Sequence, residues 1–210
     1  MAIEEILPGV FHWTAMHPNI HSEVSSWWLE DGGVLIDPLL PPEEGIEWFA
    51  ERPQAPTAIV LSNRHHYRAS GDLVARFEIP VYCVRQGMHE FGDGRPVTAF
   101  EFGDELPGGI VTREIDAICP DETALYLSGH DAIVFADGVV RGGGSEDEPL
   151  GFVPDYLMDD PQDTKRALVD AFARALDELA FQHVLLAHGG PVVGDGRARL
   201  QELVDACRGS

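Results

Sequence analysis

The sequence predicts an α+β fold in which two β-sheets pack face to face and helices cover their outer sides, a four-layer αββα sandwich. Two observations predict it: strand-like segments occur in two runs along the chain, and helical segments follow each run. The 210 residues are 44% hydrophobic, which is enough to bury a substantial core. No long low-complexity tract divides the chain, so we expect a single domain over residues 1–210.

The first third of the chain is typical of antiparallel strands joined by tight turns. The strand-like segments are EEILPGVFHWT, EVSSWWLE and GGVLIDPLL, and EDGG at 30–33 predicts a hairpin between the last two. Successive side chains of a strand point to opposite faces, so one of Trp27 and Trp28 is expected in the core and the other near the surface. Pro41 and Pro42, followed by EEGIEWFAERP, predict the start of a helix.

A βαβ unit is predicted next. The apolar run TAIVL predicts a buried strand, SGDLVARFE a short helix and PVYCVR the following strand. The polar turn SNRHHYRA separates the first strand from the helix. Functional loops of α/β proteins lie at the carboxyl ends of such strands, so this turn is the first place to look for a site.

The second run begins near residue 97. Its strand-like segments are VTAFEF, IVTREIDAI, ETALYLS and AIVFADGVV. A long amphipathic helix is predicted over PQDTKRALVDAFARALDELAF, then a buried strand over HVLLAH and a last helix over GRARLQELVDAC.

The composition excludes several classes of partner. With 14 basic against 36 acidic residues the formal net charge is −22, which repels phosphate backbones and anionic membrane surfaces, so we expect no nucleic acid and no membrane partner. No apolar run approaches the ~20 residues of a membrane helix, and the acidic start MAIEEILPG lacks the features of a secretory signal. We therefore expect a cytoplasmic protein. Three widely spaced cysteines support neither a disulfide framework nor a zinc knuckle.

The chain resembles the metallo-β-lactamase superfamily over nearly its whole length. The segments that carry the resemblance are EEILPGVFHW, GGVLIDPLLPPE, TAIVLSNRHHYRASGDL, ALYLSGHDAIVFADGVV and HVLLAHGGPVVGDG. The resemblance implies the αββα fold and a metal site. Hydrolases of this family typically carry His-x-His-x-Asp-His after the strand, a further histidine, a bridging aspartate and a last histidine.

Most of these ligands are missing here. The family motif falls on residues 63–68, where only His65 matches a histidine, and the further histidine falls near Ile118. Asp137 in FADG matches the bridging aspartate, and His188 in LLAHGG matches the last histidine. The resemblance therefore implies at most one ion, bound by His65, Asp137 and His188, because three ligands cannot hold two bridged ions.

Four residues of this turn are expected to line a pocket: Asn63, Tyr67 and Arg68, which replace ligands, and His66. Asn63 could serve as a weak oxygen donor to the ion, and Tyr67 could either donate a hydrogen bond into the pocket or fill the space with its ring. An arginine has no lone pair for a metal and repels a dication. Our hypothesis is that Arg68 replaces the lost cation and neutralises Asp137 through charge-assisted hydrogen bonds.

Two functions remain open. In the first, the chain has lost the two-metal reaction and keeps the pocket for a small-molecule ligand or a partner. In the second, it is a hydrolase of an ester, thioester or lactone that uses His65, Asp137 and His188 with one zinc, iron or manganese ion. The cofactor is thus none or one divalent metal ion. A serine hydrolase is disfavoured because no GxSxG motif is present. Nothing specific favours a purely structural role, and the oligomeric state is left open.

Overall fold

The larger sheet contains the N-terminal half of the chain. The computed structural model describes residues 2–142 and 148–209. Seven strands follow one another in chain order across this sheet: β1 (Glu4–Leu7), β2 (Val10–Met16), β3 (Glu23–Leu29), β4 (Val34–Ile36), β5 (Ala58–Val60), β6 (Val81–Val84) and β7 (Val97–Phe100). Strands β1 to β4 are antiparallel and β4 to β7 are parallel, as the hairpin and the βαβ unit predicted. Helices α1 (Glu47–Ala50) and α2 (Ser70–Phe77) lie in the connections after β4 and β5.

The smaller sheet contains most of the second half. Its strands are β8 (Glu105–Leu106), β9 (Ile110–Glu114), β10 (Thr123–Leu127), β11 (Ala132–Phe135) and β14 (His183–Leu186), in the spatial order β14-β11-β10-β9-β8. A separate ribbon pairs β12 (Val140–Arg141) with β13 (Leu150–Gly151). Helix α3 (Pro161–Glu178) precedes β14, and α4 (Gly196–Arg208) follows it. The Asp160 carboxylate caps α3 by accepting from the amides of Gln162 and Asp163.

Three apolar clusters separate the four layers. The central cluster lies between the sheets and includes Trp27, Val60 and Leu185. The two outer clusters lie under the helices, and they include Trp28, Phe49 and Leu73 on one side and Phe135, Phe172 and Leu200 on the other. The predicted αββα sandwich is therefore confirmed.

Two local predictions were wrong. Trp27 and Trp28 are both fully buried, because each face of the larger sheet is covered by another layer. The predicted helix after Pro42 is reduced to the single turn of α1. Residues 42–46 form turns in which Gly45 has a φ of +64°, so the helical conformation starts only at Glu47.

No helix within the described residues is long and apolar enough to cross a membrane. The three cysteines are free: Cys83 is buried, Cys119 is partly buried and Cys207 is exposed.

The carboxyl ends of β5, β11 and β14 bring the predicted site residues together. Asn63 lies three residues beyond the end of β5. Asp137 lies two residues beyond the end of β11, and His188 lies two residues beyond the end of β14. Two backbone hydrogen bonds join the sheets at this edge: the Ser25 amide donates to the Ala187 carbonyl and the Thr123 amide to the Ser62 carbonyl, each at 2.9 Å. The candidate site therefore lies between the two sheets.

Candidate metal centre

Three side chains converge at this edge with the atoms that bind metals. His66, Asp137 and His188 each place one ligand atom within 4.8 Å of the others. The Nε2 atoms of His66 and His188 lie 3.3 and 3.1 Å from Oδ1 of Asp137. Both contacts are ion pairs when the rings are protonated, and Oδ1 is buried without a hydrogen-bond partner among the described residues. Two imidazole nitrogens and one carboxylate oxygen that face one another fit a divalent zinc, iron or manganese ion.

Asn63 fixes the orientation of Asp137. Its Nδ2 donates to Oδ2 of Asp137 at 2.9 Å, while its own Oδ1 accepts from the His65 amide at 2.9 Å and caps the turn. The other Asp137 oxygen, Oδ1, therefore faces the two histidines. The structure does not support Asn63 as an oxygen donor to an ion, because that oxygen is already used by the backbone of its own turn.

His66 is held from behind by Asp37 and Ser62. Its Nδ1 lies 2.9 Å from both Oδ2 of Asp37 and Oγ of Ser62, which leaves Nε2 facing Asp137. The Asp37 carboxylate is itself fixed, since the Ser62 amide donates to its Oδ1 at 2.8 Å. A carboxylate behind a ligating histidine fixes the ring and its tautomer and makes the nitrogen facing the metal a better donor.

The charged side chains of this site shift one another's pKa values. Burial by itself lowers the pKa of His66, but the nearby Asp37 and Asp137 carboxylates raise that pKa to about 9. For Asp37 and Asp137 burial acts in the opposite direction, and the charge of His66 nevertheless holds the pKa of each carboxyl below its usual range. Two cations, His66 and Arg68, therefore face two carboxylates in the cleft.

His65, which the family motif selected, is not brought to this cluster. Its side chain is exposed, and its amide donates to Asn63. Residues Arg64–Tyr67 form a 3₁₀ turn, in which successive side chains point about 120° apart. Only one of the two adjacent histidines can face the cleft, and it is His66.

Tyr67 lies against the outer core. Its ring centroid is 5.7 Å from that of Phe91, and the Arg95 guanidinium lies 4.9 Å from the Tyr67 ring centroid. These contacts favour the second of its two predicted roles, filling space with the ring. They do not support a phenolic hydrogen bond into the cleft.

Arg68 points into the protein, but it does not bond Asp137. Its Nη1 donates to the carbonyls of Ser25 and Asp37, both at 2.6 Å, whereas its Nε and Nη2 are buried with no hydrogen-bond partner among the described residues. Burial lowers the pKa of Arg68, and the charges of Asp37 and Asp137 oppose that effect. The predicted hydrogen bonds to Asp137 are therefore absent from the described contacts, although the guanidinium remains within electrostatic range of that carboxylate. Arg68 has a φ of +43°, a conformation that is costly for a residue with a side chain.

Comparison with known proteins places the chain in a family. A sequence profile described as the metallo-beta-lactamase superfamily matches residues 22–146, more than half of the chain. The chain belongs to the metallo-β-lactamase superfamily. The match includes the turn around His66 and Asp137, and His188 lies beyond it. A comparison with curated proteins returned no match.

Solved structures of this superfamily share the fold. The metallo-β-lactamase FIM-1 of Pseudomonas aeruginosa, in a mono-zinc form, has a TM-score of 0.71 and 17% identity, with 99% of this chain and 95% of that chain covered. A metallo-β-lactamase family protein of Thermus thermophilus has a TM-score of 0.69 and 16% identity, with coverages of 98% and 81%. TTHA1623 in a di-iron-bound form has a TM-score of 0.60 and 20% identity, with coverages of 91% and 93%. At these identities the likeness shows the fold alone.

The segment where the metallo-β-lactamase motif has its further histidine supplies carboxylates instead. Glu122 is buried and accepts from the amides of Gly138 and Ile118. Burial and the charge of Asp137 raise the pKa of Glu122 to about 8. Asp121 accepts from both the amide and the guanidinium of Arg64 and so anchors the 3₁₀ turn.

Sequence reasoning missed Asp37, Ser62 and Glu122 as parts of the site. The signal for Asp37 was available in LIDP, because an aspartate at the end of β4 lies at the same sheet edge as the histidine turn. Ser62, His66 and Asp37 do not form a serine-hydrolase triad. Both the Ser62 hydroxyl and the Asp37 carboxylate contact the same ring nitrogen, and a triad uses opposite nitrogens.

Proposed function

We propose that this protein is a single-metal hydrolase in which His66, Asp137 and His188 hold one zinc, iron or manganese ion, and that it cleaves a small ester, thioester or lactone. One observation carries the proposal. Oδ1 of Asp137, which has no hydrogen-bond partner within the described part of the chain, faces two imidazole nitrogens, while the other Asp137 oxygen is bonded to Asn63. A cation placed among these three atoms would meet one carboxylate oxygen and two imidazole nitrogens, which is a ligand set of open metal sites.

The stoichiometry of one ion follows from the residues around the cluster. Two bridged ions need more imidazoles and carboxylates than the three that converge here. The buried Arg68 guanidinium would also repel a second dication. Solved neighbours are described with one zinc and with two irons, so both stoichiometries occur in this fold.

The chemistry divides between the ion and the chain. A divalent ion bound by two imidazoles and a carboxylate supplies Lewis acidity and lowers the pKa of water. Asp37 keeps the His66 ring in the ligating orientation, and Asn63 does the same for Asp137. Arg68 supplies a fixed positive charge beside the cleft, which stabilises negative charge that develops on a substrate oxygen.

A second candidate is a non-catalytic member of the family that binds a small ligand in the same cleft. It is favoured by the loss of the motif ligands at Asn63, Tyr67 and Arg68. In this case the three converging ligand atoms would be a remnant of an ancestral metal site.

Metal analysis followed by turnover assays separates the two candidates. The protein is purified without chelator, its metal content is measured, and zinc, iron or manganese is added back to stripped protein before assays on ester, thioester and lactone panels. We expect about one ion per chain, a higher melting temperature with metal, and metal-dependent turnover that disappears in His188→Ala. Stripped protein whose melting temperature is unchanged by all three metals would support the second candidate. Two ions per chain would contradict the proposed stoichiometry.

A further inference from the structure

Arg68 has a buried hydrogen-bonding edge with no partner among the described residues. A guanidinium carries five N–H donors, and here Nη1 is engaged by the carbonyls of Ser25 and Asp37. The Nε and Nη2 donors are buried and have no partner within the described ranges 2–142 and 148–209. A buried charged donor without a partner is unfavourable, so these two atoms are available to a ligand.

The two unpaired donors lie on one edge of the guanidinium plane. Two parallel N–H groups on a planar guanidinium match the two oxygens of a carboxylate or a phosphate, which is the geometry of bidentate recognition. We propose that Arg68 binds a carboxylate or phosphate group of the ligand through Nε and Nη2. The inference deepens the proposed function, on which it rests, by naming the substrate class as anionic.

The contacts of Arg68 Nη1 place the guanidinium near the proposed metal-binding side chains. One of its carbonyl partners belongs to Asp37, whose carboxylate holds His66. The other belongs to Ser25, whose hydroxyl donates to the carbonyl of Gly189, the residue after His188. An anion on Arg68 would thus lie next to both histidine ligands.

His17 offers a further donor nearby. It lies in the turn between β2 and β3, and its Nδ1 accepts from the amides of Asn19 and Ile20 at 3.3 and 3.4 Å, which leaves the proton on Nε2. Burial and the positive charges of Arg68, His66 and His188 lower the pKa of His17. A neutral imidazole there can donate to an anion without adding charge.

The charge of the cleft also favours an anion. A divalent ion together with Arg68 outweighs the Asp37 and Asp137 carboxylates, and Glu122 has a pKa raised to about 8. The loaded cleft is therefore positive within a chain whose net charge is −22. Because the surrounding surface repels anions, selectivity for them must come from groups inside the cleft.

The test measures binding of two simple probes, inorganic phosphate and acetate, by calorimetry at constant ionic strength with chloride as the competing anion. Wild type is compared with Arg68→Lys, which keeps the charge and loses the two-donor edge, and with Arg174→Lys, which makes the same change at an exposed arginine of α3. We expect saturable binding of at least one probe to wild type and to Arg174→Lys. Arg68→Lys should bind it about tenfold or more weakly at unchanged metal content. The probe that binds more tightly identifies the group as phosphate or carboxylate.

Equal affinities for wild type and Arg68→Lys, or no binding of either probe to wild type, would overturn the inference. If Arg68→Lys does not fold, crystals of wild type soaked with the probes decide: an anion on Nε and Nη2 supports the inference, and one bound away from Arg68 overturns it. Repeating the titration on stripped protein separates this result from the proposed function. Arg68-dependent binding without metal upholds the anion site even if the metal analysis fails.

Discussion

The two sheets contribute to the candidate site in different ways. The smaller sheet supplies Asp137 and His188, each two residues after a strand, and both are the residues that the family motif indicates. The larger sheet supplies His66 from a 3₁₀ turn, one position away from the motif histidine. A strand fixes the direction of the residues that directly follow it. In a turn, the local hydrogen bonds decide which of two neighbouring side chains faces inward.

The means of fixing the ligands differ as well. On the larger sheet a network of side chains, Asp37, Ser62 and Asn63, holds the turn and the His66 ring. On the smaller sheet the Gly138 amide, next to Asp137, is fixed by the buried Glu122. The larger sheet therefore depends on more polar side chains for its part of the site, and substitutions there should be the more informative.

The largest expected effect distinguishes the two adjacent histidines. His66→Ala removes a ligand atom and should weaken metal binding by more than about 100-fold, whereas His65→Ala removes an exposed side chain and should leave metal affinity within about twofold of wild type. Competition with a chromogenic chelator measures both affinities. If His65→Ala weakened metal binding more than His66→Ala, His65 would be the ligand, as the family motif predicts, and the geometry described for the turn would be wrong.

A smaller effect is expected from the group behind the His66 ring. Asp37→Asn keeps the side-chain size, and asparagine tolerates the positive φ of +48° at this position. The variant loses the negative charge of the carboxylate that contacts Nδ1 of His66. We expect metal affinity to fall about 10- to 100-fold. The exposed Asp72→Asn on α2 serves as the matched control. An unchanged affinity in Asp37→Asn would show that the ring is positioned without its carboxylate.

A third effect concerns protein stability and comes from a buried histidine of the larger sheet. Burial lowers the pKa of His12 to about 4, below the value of about 6.5 expected in the unfolded chain. As pH falls below 6.5 the unfolded chain takes up the proton first, so the folded state loses stability until the pH passes about 4. Relative to His12→Gln, wild type should lose about 2 kcal/mol of unfolding free energy between pH 7 and pH 5.

Urea unfolding of stripped protein at the two pH values measures this difference. His21→Gln, at an exposed histidine in the turn after β2, is the control and should follow wild type. A loss of the same size in His12→Gln would show that other groups cause the pH dependence.

The sequence was most informative where periodicity and strand ends determine the structure. Apolar runs in the sequence located β5, β11 and β14. The ends of β11 and β14 then predicted the positions of Asp137 and His188. The burial of Trp28 was not predicted because strand alternation reports two faces and does not report what covers them. The shortness of α1 depends on the conformation of Gly45, which acidic and proline signals do not reveal.

The choice of His66 and the role of Asp37 depend on contacts between distant parts of the chain. Asp37 and His66 are 29 residues apart and meet only because β4 and β5 are neighbours in the sheet. The unsatisfied edge of Arg68 likewise depends on where the carbonyls of Ser25 and Asp37 lie. No local pattern encodes such distances, although the strand order would have placed these residues at one edge.

The two backbone bridges between the sheets have a mechanical consequence. Ligand spacing depends on how the sheets are aligned, since His66 belongs to one sheet and His188 to the other. The Ser25 to Ala187 and Thr123 to Ser62 bonds oppose sliding at the edge that carries the candidate ligands. Loosened packing at the opposite edge of the sandwich should therefore make that edge less rigid. The distance between the imidazoles of His66 and His188 should stay the same.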